Sequence, residues 1–65
     1  MGIRVAREDY IGERTALVCI KNFTDVRDAI NWMVEDSGGI KIIVNTALPT
    51  QRIDMGTFGY IIDLS

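Results

Sequence analysis

Arg14-Thr15-Ala16-Leu17-Val18-Cys19-Ile20-Lys21 is the stretch that decides the fold, because its apolar and β-branched residues read as a strand. Beyond Lys21 the period changes. Thr24 is placed to cap a helix and Asp25 to complement the dipole in its first turn. Val26, Ala29, Ile30 and Met33 then recur at helical spacing, with Val34 at the edge of the same stripe. Ser37-Gly38-Gly39 ends the helix, since glycine supplies the left-handed conformation of a C-cap. Working outward, residues 3–7 alternate as a first strand and residues 8–13 form a turn, so a hairpin joins the first two strands. Residues 40–46 read as a third strand, residues 47–54 as a longer loop around Leu48-Pro49, and residues 55–64 as a last strand loosened by Gly56 and Gly59. The expected fold is α+β, one small domain over residues 1–65 in the order ββαββ. A four-stranded, mainly antiparallel sheet carries one helix on one face. A parallel pairing of the strands on either side of the helix stays open.

Sixty-five residues permit one domain. A chain of that size buries only about 60% of its unfolded surface, so its core is marginal without a disulfide, a metal or a partner chain. One cysteine excludes an internal disulfide, and the lack of histidine argues against structural zinc and histidine-based catalysis. No cofactor, metal site or enzymatic activity is expected. Seven basic and nine acidic residues are interspersed for a net charge of −2, without the basic stripe that duplex binding uses, so nucleic acid is not an expected partner. No apolar run approaches the ~20 residues of a membrane span. The opening residues lack the apolar core of a signal peptide, and Ala6 stands where a myristoylation motif has Ser or Thr. Asn22-Phe23-Thr24 matches a glycosylation sequon, which has no meaning without a secretory signal. A cytoplasmic location is expected, with Cys19 as a reduced thiol.

One helix covers only one face of a four-stranded sheet. Alternation assigns Ala16, Val18 and Ile20, then Ile40, Ile42 and Val44, then Phe58, Tyr60, Ile62 and Leu64 to the helix side. Leu17, Cys19, Ile43 and Ile61 are left as an apolar patch on the other side. Leaving a large aliphatic side chain in water forgoes about 1.5–3 kcal/mol, so the patch is expected to be covered by self-association, most simply a homodimer.

Other residues suggest contact with a partner. Trp32 lies off the helix stripe, and tryptophan is enriched among binding hot spots. Tyr10 and Ile11 stand at the first hairpin, where polar residues are usual, and Arg52 lies in the expected long loop. These four are the candidate partner-binding residues. Phe58-Gly59-Tyr60-Ile61 resembles the centre of the RNP1 signature of RNA-recognition domains, but its flanking basic residue, first glycine and last aromatic are missing. Ser37-Gly38-Gly39 follows a helix, whereas a phosphate loop precedes one. Residues 25–36 lack the alternating acids and central glycine of a calcium loop. Cys19 has no histidine to activate it and is expected to pack.

Two functions are consistent with these features. The first is a non-catalytic binding protein that inhibits another protein or protein complex by contact. In size and layout the chain is similar to small stand-alone inhibitors encoded by bacteriophages, including anti-CRISPR and other anti-defence proteins, which implies a viral inhibitor. The alternative is a protein that sequesters a nucleotide at a subunit interface, with Phe58 or Tyr60 stacking on the base and Lys41 or Arg52 meeting phosphate.

Overall fold

The computed structural model describes residues 2–65. Strands β1 (Ile3–Ile11) and β2 (Arg14–Phe23) form a hairpin closed by Gly12 and Glu13. Helix α1 (Val26–Asp36) comes next, then β3 (Thr50–Asp54) and β4 (Phe58–Leu64). All pairings are antiparallel in the order β2-β1-β4-β3, so the ββαββ layout holds and no parallel pair forms. The strands flanking the helix sit at opposite edges of the sheet.

Several boundaries differ from expectation. The first two strands run longer, because the hairpin needs only two turn residues and Glu8 to Ile11 continue the ladder. The helix is capped by Asp25 rather than Thr24, its carboxylate accepting from the Arg27 amide at 2.8 Å. The third strand is Thr50–Asp54, inside the expected loop, and residues 40–46 form no strand. The last strand accordingly begins at Phe58 rather than Met55.

The displaced segment keeps its two-sided character. Ile42 is buried and Val44 half-buried against the core, while Lys41, Ile43 and Asn45 are exposed. Among the described residues, the backbone from Ile40 to Val44 forms no hydrogen bond with another backbone group. Its anchor is Gln51 of β3, whose side-chain carbonyl accepts from the Asn45 amide at 3.0 Å and whose NH2 group donates to the Asn45 carbonyl at 2.7 Å. Burial of Ile42 holds this segment over the helix-side face, where it supplements the helix.

Ile3, Val5, Ala29, Met33, Ile42, Tyr60 and Ile62 make the core. The helix stops where Ser37 takes the cap and the Gly39 amide donates to the Val34 carbonyl at 2.7 Å, with Gly38 at φ +85°. Gly59 has a different reason. A Cβ there would collide with the Tyr10 hydroxyl and stand 2.9 Å from the Ile53 carbonyl oxygen. Tyr10 therefore occupies the space that a side chain at position 59 would fill. Gly59→Ala is expected to cost about 1–3 kcal/mol through overpacking, measured by urea unfolding; an unchanged midpoint would contradict this placement of Tyr10.

Candidate functional site

Opposed residues of an antiparallel pair share a face, so the register distributes every strand residue. The helix side carries Ile3, Val5, Arg7 and Asp9 of β1 beside Leu64, Ile62, Tyr60 and Phe58 of β4. Among the described residues, no element covers the other face. From β2 through β1 and β4 to β3, its rows read Asn22, Arg4, Asp63, Thr50; then Ile20, Ala6, Ile61, Arg52; then Leu17, Glu8, Gly59, Asp54.

The composition of that face differs from expectation in β2, for a reason visible in the register. Cys19 pairs with Arg7 and Leu17 with the next residue, Glu8, so Val18 is an inserted bulge residue. The bulge reverses the alternation beyond it. Leu17 keeps the uncovered side, but Ile20 joins it, while Cys19 moves to the helix side in the row of Arg7 and Tyr60. Ile43 leaves the patch as well, being 75% exposed in the segment after the helix. The uncovered apolar surface is thus Leu17, Ile20, Ala6 and Ile61, with Tyr10 over Gly59. Leu17 and Ile20 stand 61% and 48% exposed. Polar groups frame them: Arg52 Nη2 reaches Glu8 Oε1 at 3.4 Å across β4, and the Thr50 hydroxyl donates to Asp63 at 3.0 Å.

Four polar side chains of the helix side, Arg7, Asp9, Asp36 and Tyr60, are engaged with one another. Arg7 donates to Asp36 Oδ2 at 2.7 Å and to Asp9 Oδ1 at 3.1 Å, and its guanidinium lies 4.2 Å from the centre of the Phe58 ring. The Tyr60 hydroxyl donates to the same Asp36 oxygen at 2.6 Å. Burial, then this bond to Asp36, raise the Tyr60 phenol well above its usual range. The bond to Asp36, opposed by burial and aided by Asp9, likewise raises the Arg7 guanidinium. This cluster ties the C-terminal end of the helix to the centre of the sheet and leaves no buried side-chain polar atom unpaired among the described residues.

The other candidates fall in separate places. Trp32 packs between two aromatic rings, 6.3 Å from Phe23 and 6.0 Å edge-on to Tyr60, at the border of the core. Ile11 stands 64% exposed at the hairpin tip. Tyr60 is fully buried, Phe58 is covered by Arg7 on one ring face, and Arg52 lies on the opposite side of the sheet from both. Lys41 is exposed beside Ile42. The residues of the nucleotide reading are therefore not gathered. An open cleft of about 280 Å³ near the chain ends includes Arg4 and Asp63, opposite charges that give it no net sign. Among the described residues no group of three or more His, Cys, Asp or Glu side chains could hold a metal ion, and no helix is long and apolar enough to cross a membrane.

Ile20 and Asp54 of the uncovered face escape a reading by alternation. The bulge that turns Ile20 outward has no signature in the sequence of β2, and Asp54 belongs to a strand that reads as loop. No protein-family model, curated protein or solved structure matches the chain.

The raised Tyr60 phenol has a definite sign. The folded state holds that proton more tightly than the unfolded chain, so its contribution is complete below about pH 10 and declines above it. Tyr60→Phe is expected to cost about 1 kcal/mol at neutral pH and to flatten the loss of stability between about pH 10 and 12. Urea unfolding across that range checks it; an identical alkaline slope in both proteins would contradict the assignment.

Proposed function

We propose that this chain is a non-catalytic binding protein that acts by contact with another protein and inhibits it by covering its surface. One contrast carries this reading. Buried polar side chains are paired internally, while Ile11, Leu17, Val18, Ile20, Ile40, Ile43 and Leu48 stand 46–75% exposed. A domain this small has little stability to spare, and retaining so much exposed apolar side chain is most readily accounted for by a surface that is covered in use. Ile11 at the hairpin tip and Ile43 after the helix are the strongest single contacts, and a viral anti-defence role is the form that size and layout favour.

The test is quantitative capture from source cells by the tagged wild type, Ile11→Glu and Ile43→Glu chains. Both positions are exposed, so each substitution is expected to change folding stability by less than about 0.5 kcal/mol. A protein retained by the wild type and lost at least tenfold with one of the variants supports the reading. Equal retention by all three, or none by any, overturns these contacts. A thermal-shift panel of nucleotides separates the sequestration reading, because a ligand of the folded state raises Tm with concentration. A flat response is expected, since Tyr60 is buried and Arg52 lies across the sheet.

A further inference from the structure

We infer that the uncovered sheet face packs against the same face of a second copy of this chain, about a two-fold axis lying between the sheets and perpendicular to the strands. The inference draws on the apolar exposure behind the proposed function and assigns this face its occupant. Each strand then lies over its own symmetry mate, with the axis passing between the row of Ile20 and the row of Leu17. Ile20 faces Leu17 of the second copy, and Leu17 faces its Ile20, so the exposed aliphatic side chains of β2 cover one another. At the opposite edge, Arg52 faces Asp54 of the second copy, and the two-fold repeats the contact. Arg52 is 60% exposed beyond its 3.4 Å contact with Glu8, and Asp54 is exposed with one carboxylate oxygen accepting from the Gly56 amide, so each keeps an outward polar group for that contact.

Charge chooses this axis over its alternative. A two-fold parallel to the strands would lay β2 over β3 and set Leu17 and Ile20 against the charged Arg52 and Asp54. The perpendicular axis pairs Leu17 with Ile20 and Arg52 with Asp54, and sets Glu8, in contact with Arg52 of its own chain, over Ala6 of the second copy. The area is sufficient for weak association. Four strands of five to ten residues, at about 4.8 Å spacing and about 3.3 Å per residue, present on the order of 500 Å² per copy. Together this is roughly 1,000 Å², the lower bound of a specific interface and the size class of weak association.

The experiment is sedimentation velocity from about 10 to 300 µM on wild type, Arg52→Asp, Asp54→Arg and an equimolar mixture of the two variants, each checked for folding by circular dichroism. The wild type is expected to sediment as a monomer–dimer equilibrium. Each single variant sets like charges together twice and is expected to weaken association at least tenfold. In the mixed dimer the carboxylate introduced by Arg52→Asp meets the guanidinium introduced by Asp54→Arg. The native Asp54 of the first chain then meets the native Arg52 of the second, so the mixture is expected to recover a dimer. Leu17→Glu is expected to abolish association in every combination. A wild type that stays monomeric at the highest concentration overturns the inference and leaves the capture test of the proposed function standing. Dimerisation that the single variants do not weaken, or that mixing does not restore, overturns the face and axis assigned here.

Discussion

A helix of eleven residues cannot by itself cover one side of a sheet four strands wide, and the rest of the architecture answers to that constraint. Burial concentrates on a single side. Ile3 and Val5 of the central strand, Tyr60 and Ile62 of its neighbour, and Ala29 and Met33 of the helix meet there, and Ile42 from the chain after the helix fills what the helix leaves open. The helix lies over β1 and β2, and Gln51 fastens the following segment beside β3. Among the described residues, the covering segments all lie on that one layer.

The same constraint accounts for where the sequence is legible and where it is not. The helix can be read because its stripe has a single solution: Ala29 and Met33 must face the sheet, and the glycines beyond Ser37 end it. Residues 40–46 carry the strongest β-branched run in the chain, yet strand propensity measures fitness for a pleated, half-buried surface and not the presence of a partner. Ile42 satisfies that fitness by burial in the covering layer, while the ladder position beside β4 goes to Thr50–Asp54, whose polar residues give no strand signal. The uncovered face is legible to a similar degree. Leu17 and Ile61 are placed on it by simple alternation, but one extra residue at Val18 exchanges Cys19 for Ile20.

Trp32, off the helix stripe and a candidate for a partner contact, is half-buried at the border of the core, because the sheet is wide enough for Phe23 and Tyr60 to reach its ring. The polar residues follow a parallel course. Arg7, Asp9, Asp36 and Tyr60 come from three elements and have no motif in sequence, yet Arg7 and Tyr60 converge on one Asp36 oxygen that fastens the helix end to the sheet. Such a network, once fully paired, helps to fix a single arrangement of helix on sheet. Its engagement leaves the exposed aliphatic residues, Leu17 and Ile20 of the far face and Ile11 and Ile43 beyond it, without such partners.

That far face is where the protein is expected to meet a second copy of itself. Amide chemical shifts recorded from about 20 µM to 1 mM, concentrations suited to weak association, test this residue by residue. Concentration-dependent shifts confined to Leu17, Ile20, Ile61, Arg52 and Asp54, with Asn31 and Glu35 on the exposed side of the helix unmoved, are the predicted result. Shifts confined to the helix, or spectra unchanged across the whole range, would contradict it.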